Sequence, residues 1–248
     1  MKITCFPALR VDFFAQDGRP PRTVYRPLAA IELDELLEQA ERENCYALLE
    51  LGERFYFGTG VSQDYPKALE YLLRASAQEV QDAEFLVAEC YRCGNGFPQD
   101  YEQYFVWIFR AAEHGSWMAM LNLAAAYAQG KGIYGGFGVD VDLSKSLEWS
   151  LEAEKAIRAY WDFYAMPTCV DMLEIKRRLL KAYVQTAMQL SEHYANGMGT
   201  KRDRSRAFYW LNCAKQFVSN ATGLRDVPMI DNAIARMKAR MDAELGKN

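Results

Sequence analysis

A Gly-x-Gly pair recurs at Gly58/Gly60, Gly94/Gly96, Gly130/Gly132 and Gly197/Gly199, at spacings of 36, 36 and 67 residues. An aromatic stands three residues before each first glycine: Phe55, Tyr91, Tyr127 and Tyr194. Four residues before that aromatic lies an aliphatic (Leu51, Val87, Leu123, Leu190), and three before it a small residue (Gly52, Ala88, Ala124, Ser191). Eight before it comes Ala47, Ala83, Ala119 or Thr186. Downstream, four residues after the second glycine is Asp64, Asp100 or Asp203, then Tyr71, Trp107 or Trp210, then Ala75, Ala111 or Ala214. The third copy carries six extra loop residues and resumes as Asp142, Trp149, Ala153. A repeat of this period constrains the chain more than any other feature, because each unit must be one supersecondary element stacked on copies of itself.

The offsets have a physical reading. Positions at −8, −4, −3 and 0 from the first aromatic form one stripe of a helix, here termed helix A. The small residue lets a second helix approach closely, and the glycine after the aromatic supplies a left-handed cap. The Asp is an N-cap for a second helix, B, whose inward face carries the second aromatic and the Ala four residues on. Each unit is thus a helix–turn–helix hairpin that cannot bury its apolar face alone. The predicted fold is all-α: a right-handed solenoid of stacked hairpins.

The first copy runs Ala47-Leu-Leu-Glu-Leu51-Gly52-Glu-Arg-Phe55-Tyr-Phe-Gly58-Thr-Gly60-Val61-Ser-Gln-Asp64-Tyr-Pro-Lys67-Ala68-Leu-Glu-Tyr71, and the second ends Arg110-Ala111-Ala112-Glu113-His114-Gly115. In this pattern the chain resembles the Sel1-like repeat (SLR) family, relatives of the tetratricopeptide repeats, over about residues 45–215. The resemblance implies a TPR-like scaffold that binds proteins and does not imply an enzyme. Some cysteine-rich secreted members bind penicillin-like ligands, but their two cysteines per repeat are lacking here.

Repeats are expected at about 45–79, 80–115, 116–155 and 183–216, within a solenoid spanning 28–215. Residues 28–44, with Leu33, Leu36, Leu37 and Ala40, read as a capping helix of a degenerate half-repeat. Between Ala153 and Thr186 the chain holds 25 residues more than the usual step, helix-forming on both sides of Pro167. That predicts an elongated, protruding helical hairpin over about 155–183, bearing Tyr160, Trp161, Phe163 and Tyr164 on one arm and Lys176, Arg177, Arg178 and Lys181 on the other. Residues 216–248 are expected to hold a C-terminal capping helix with Ile230, Ile234, Met237 and Met241 on one side. Residues 1–27 lie outside the repeat; Ile3, Val11, Phe13 and Val24 around Asp17-Gly18-Arg19-Pro20 suggest a small β-hairpin or an extended arm.

Charge separates function classes. The net charge of −4 argues against nucleic acid as the partner. Residues 1–27 carry five basic and two acidic groups, 200–248 ten and five, and 28–199 fourteen and twenty-six, so an acidic middle is flanked by basic ends. No apolar run approaches the roughly 20 residues that span a bilayer. Arg10 and Asp12 interrupt the N-terminus too soon for an export signal, and six cysteines without a framework suit a reducing compartment. The expectation is a cytoplasmic protein with no membrane partner.

Sites for chemistry are few. Cys90-Tyr-Arg-Cys93 falls at the end of a helix A, where the dipole opposes a thiolate, and no second C-x-x-C completes a zinc site. The loop Gly130–Gly138 lacks the strand and spacing of a phosphate cradle. The frame sets no Ser or Cys nucleophile against His114 or His193, and Asp140 and Asp142 suit a loop and an N-cap. No catalytic residue, metal ligand or cofactor is predicted. The rival reading is a hydrolase or small-ligand-binding enzyme that uses the elongated hairpin and the glycine loop, with polar groups converging near Tyr134, Trp161 and His193.

In tetratricopeptide-type solenoids helix A lines the concave groove. Positions −9, −6, −2 and +1 from the first aromatic then face a partner: Tyr46, Leu49, Glu53 and Tyr56; Asp82, Phe85, Glu89 and Arg92; Met118 and Leu121; Met188 and Glu192. Glu recurs at −2 in three of four copies. A row of solvated Glu is commonplace on a helix, but apolar residues on the same face mark anchors. This face suits a basic, partly apolar protein segment. The predicted function is a non-enzymatic protein–protein interaction scaffold, either a bacterial adaptor or a toxin-neutralising immunity protein.

Overall fold

A computed structural model describes residues 8–13, 22–27, 32–130, 138–164, 173–223 and 228–245. Within the N-terminal segment, β1 (Ala8–Phe13) and β2 (Arg22–Pro27) pair antiparallel, with Ala8 opposite Pro27 and Phe13 opposite Arg22. All else that is described is helix and turn: α1 (Leu33–Glu41), α2 (Cys45–Phe57), α3 (Tyr65–Ser76), α4 (Gln81–Cys93), α5 (Tyr101–Glu113), α6 (Trp117–Gln129), α7 (Leu143–Tyr164), α8 (Leu173–Asn196), α9 (Arg204–Thr222) and α10 (Pro228–Leu245). Helices α2/α3, α4/α5, α6/α7 and α8/α9 are the four hairpins, each A packed on its B and stacked into a right-handed α-solenoid. Helix α1 covers the first hairpin through buried Leu36 and Ala40, and α10 packs on α9 with Ile230 buried.

The A-to-B turn is built the same way four times. Gly58 and Gly94 end their helices at φ 73° and 74°, conformations costly for a residue with a Cβ. The Asp that opens helix B then works twice. Its carboxylate accepts from the backbone N–H three residues on: Lys67 at 3.1 Å for Asp64, Gln103 at 3.0 Å for Asp100, Lys145 at 3.0 Å for Asp142, Arg206 at 2.9 Å for Asp203. Its own N–H donates to the carbonyl of the repeat aromatic: Phe55 at 2.9 Å, Tyr91 at 3.0 Å, Tyr127 at 2.9 Å and Tyr194 at 2.8 Å. Lys67, Lys145 and Arg206 also lie over the rings of Phe55, Tyr127 and Tyr194, 5.2–5.5 Å from the centroids.

Small residues set the packing distances. A Cβ at Gly52 would stand 2.6 Å from Leu72, so the absence of a side chain lets α3 close on α2. Between repeats, Arg74 and Arg110 reach back to the carbonyls of Ala40 and Ser76, each at 2.8 Å, satisfying the free C-terminal ends of the preceding helices.

The third-to-fourth junction departs from this frame. Helices α7 and α8 run 22 and 24 residues, against 13 for α2, α4 and α6. The described extension of α7 is packed against the second repeat. Tyr160 is 3% exposed, and Gln81 at the start of α4 donates its Nε2 to the Tyr160 hydroxyl at 2.7 Å. Superhelical curvature brings the extension of α7 back onto the second repeat. The side chains of Phe163, Tyr164, Met237 and Met241 and the loop residue Tyr134 lie outside the described residues.

Candidate functional site

Glu53 on α2 and Asp82 in the first turn of α4 face one recess. Glu53 is half-buried on α2. Asp82 is 9% exposed, and its Oδ1 has no hydrogen-bond partner among the described residues. Burial pushes the Glu53 carboxyl up to about 8, with the charges of Glu50 and Asp82 adding to the rise. Burial likewise raises Asp82 to about 6. Among the described residues, the opposing charge that acts on both is Arg178, from the extended part of α8. Arg178 is exposed, and its guanidinium lies 3.9 Å from the Met118 sulfur on α6. Arg178 thus links the extension of α8 to α6 beside the α2–α4 pair.

The remaining predicted groove residues are distributed differently. Tyr46, Tyr56, Phe85, Met118, Leu121 and Met188 are half-buried. Leu49 is 2% exposed and sits within the core with Leu86 and Val87, so it cannot meet a partner; the next helix A covers the −6 face of α2. The three Glu at −2 do not form one row. Glu53 lies in the recess, Glu89 pairs with Arg92 at 2.5 Å, and Glu192 lies at the far end. There Met188, Glu192, Ala195 and Asn196 of α8 line a hollow of about 350 Å³ with Leu211, Ala233 and Arg236.

Groups with catalytic potential are tied into packing. His193 is 1% exposed; its Nδ1 lies 2.9 Å from the Met198 carbonyl and its Nε2 3.4 Å from the Ser146 hydroxyl. This Ser–His approach is not foreseen by the repeat frame. Ser146 is itself fully buried and donates to the Ala124 carbonyl at 2.8 Å, so its hydroxyl faces no solvent-open site. His114 and Arg110 both hold the fully buried carboxylate of Glu84, at 2.8 and 2.6 Å. Cys90 is buried and its thiol is pushed up to about 12, against a thiolate role for the C-x-x-C. Trp161 packs on Phe217 at 4.8 Å rather than lining an opening with His193. Among the described residues no cluster of His, Cys, Asp or Glu could hold a metal ion, and no helix is long and apolar enough to cross a membrane.

Stacked helical hairpins of one recurring sequence define a repeat solenoid. The Sel1 repeat profile matches residues 45–80, 81–116, 117–156 and 184–216, and the chain belongs to the Sel1 repeat family. The fold is similar to that of a Sel1 repeat protein from Oxalobacter formigenes, with a TM-score of 0.60 and 22% identity over 82% of this chain and 47% of that one. A protective antigen of uropathogenic Escherichia coli strains with an SLR fold matches at TM-score 0.45 and 23% identity, over 85% of this chain and 49% of that one. This chain thus spans about half the length of each. No curated protein matches it. Sel1 repeats generally mediate protein–protein interaction.

Proposed function

We propose that the chain holds a basic, partly apolar segment of one protein partner in its concave recess, without catalysis, as an adaptor or a toxin-neutralising immunity protein. The observation that carries this reading is the convergence of Glu53 and Asp82, two carboxylates withdrawn from water, on a face that also presents half-buried Phe85, Met118 and Leu121. Carboxylates set the orientation of such a segment, and the aromatic and Met side chains supply its affinity.

The test is affinity purification from the native host with the wild-type chain and an E53Q/E89Q/F85A variant, followed by light scattering of the complex. The expected result is a one-to-one complex with a protein carrying a basic segment, lost in the triple variant. A partner retained equally by both chains would place the binding face elsewhere. Scattering of the isolated chain shows whether it self-associates.

A further inference from the structure

We propose that the Glu53–Asp82 recess is a socket for a single cationic side chain of the partner, and that Arg178 on α8 is its intramolecular competitor, poised over the socket until a partner's guanidinium or ammonium takes its place. This rests on the groove reading above and makes it specific to one contact and one regulating residue.

Three observations converge. A buried carboxylate oxygen without a hydrogen bond is rare in a folded protein, because its lost hydration goes uncompensated. Asp82 Oδ1 is such an atom: no donor among the described residues reaches it. Second, the two carboxylates lie on different helices of different repeats. A group inserted between them would therefore be gripped by two rigid elements, an arrangement suited to a planar, multidentate guanidinium. Third, one guanidinium stands near enough to influence both carboxyls, and it also reaches the Met118 sulfur at 3.9 Å. The charge of Arg178 acts on both carboxylates, yet it leaves Asp82 Oδ1 without a hydrogen bond. Arg178 stands on the extension of α8, beyond the repeat proper, so it can swing aside without disturbing the solenoid. A metal ion fits less well, since no third free ligand joins the pair among the described residues.

The socket also explains an otherwise costly choice of residues. Gln and Asn at these positions would fill the same volume without the cost of ionising a buried carboxyl, and a fold selected for stability alone would favour them.

Fluorescence anisotropy of the full chain with a short peptide of alternating arginine and leucine tests this, alongside the same peptide with neutral citrulline for arginine. E53Q and D82N should each weaken the arginine peptide by about tenfold, the size expected for a charge-assisted hydrogen bond. Citrulline should bind weakly to every variant. R178A should bind the arginine peptide severalfold more tightly than wild type, because the competing occupant is gone. Thermal melts confirm folding of the isosteric variants.

Full retention of binding in E53Q and D82N, equal binding of citrulline, or unchanged binding in R178A overturns the socket. If those variants bind as wild type while F85A and M118A do not, the groove stands and the socket falls. If the arginine peptide does not bind the wild-type chain, the socket falls while a groove selective for another segment is judged by the purification above.

Discussion

The backbone N–H of Asp142 donates to the carbonyl of Tyr127 at 2.9 Å, although the loop between them is six residues longer than in the other repeats. The same bond joins Asp64 to Phe55, Asp100 to Tyr91 and Asp203 to Tyr194. Helix B is therefore set by where the Asp docks, not by the number of residues leading to it.

If docking is what matters, the capping carboxylate of Asp142 carries a measurable share. It accepts from the N–H groups of Ser144 and Lys145, both at 3.0 Å. D142A is expected to cost about 1 kcal/mol and D142N only a fraction of that, as for N-caps generally. Urea denaturation followed by circular dichroism reads both. Equal losses in the two variants would assign the effect to the loop rather than to the cap.

Gly199 and Gly60 occupy equivalent places but do unequal work. Both have positive φ, 73° and 72°, so a side chain strains the backbone equally at either. A Cβ at Gly199 would lie 2.0 Å from the carbonyl oxygen of Leu143 in the preceding repeat, whereas at Gly60, in the first repeat, it meets nothing within 4 Å. G60A should then cost about 1 kcal/mol, the left-handed strain alone. G199A should cost about 3 kcal/mol or more, since backbone must move. Comparable melting temperatures would remove the inter-repeat contact from the account.

What was legible in the sequence follows from this distinction. Gly58, Asp64 and Phe55 act within one hairpin, so their spacing alone states their roles, and the caps appear where the frame puts them. Contacts such as Gln81 with Tyr160, Ser146 with His193, and Arg178 over Glu53 and Asp82 join different repeats. They depend on the curvature of the stack, which sums small rotations at each interface and has no signature in any single copy. The same curvature buries Leu49 and brings the long hairpin inward. Helix position alone marks Glu53 and Asp82 as partner-facing, but nothing in the sequence distinguishes a withdrawn carboxylate from a solvated one.

The inward docking of the hairpin hangs on a buried polar bond. Gln81 is fully buried, Tyr160 is 3% exposed, and they meet at 2.7 Å. Y160F leaves the Gln81 Nε2 without this acceptor and should cost about 2 kcal/mol. A Q81L/Y160F pair removes both polar groups and should recover part of that loss, with a coupling energy measurable by a double-mutant cycle. Amide exchange should quicken in the C-terminal turns of α7 in Y160F before it does elsewhere. Strict additivity of the two changes would show that the hairpin is held by apolar packing alone.

Acid-side stability follows from the two recessed carboxyls. Glu53 rises from 4.5 to about 8 and Asp82 from 3.8 to about 6 on folding. A carboxyl whose folded pKa lies above its unfolded value keeps its proton more firmly in the native state, so it favours folding at low pH and that contribution is lost as pH climbs through the folded pKa. Asp82 acts between about pH 4 and 6, and Glu53 between about pH 4.5 and 8. The groups facing them are Glu50 with its partner Arg54 on α2, and Arg178 on α8. Glu50 opposes ionisation and Arg178 assists it, so their balance sets the width of the window. The wild-type chain should therefore lose stability from pH 5 to pH 8. E53Q should flatten the upper part of that slope, matching wild type near pH 4 and exceeding it at pH 8. R178A should steepen it, because a cation that eases both ionisations is removed. Denaturant midpoints at closely spaced pH values decide the matter: a stability that rises from pH 5 to pH 8, or an E53Q curve parallel to wild type, would show that Glu53 is already ionised in the folded chain.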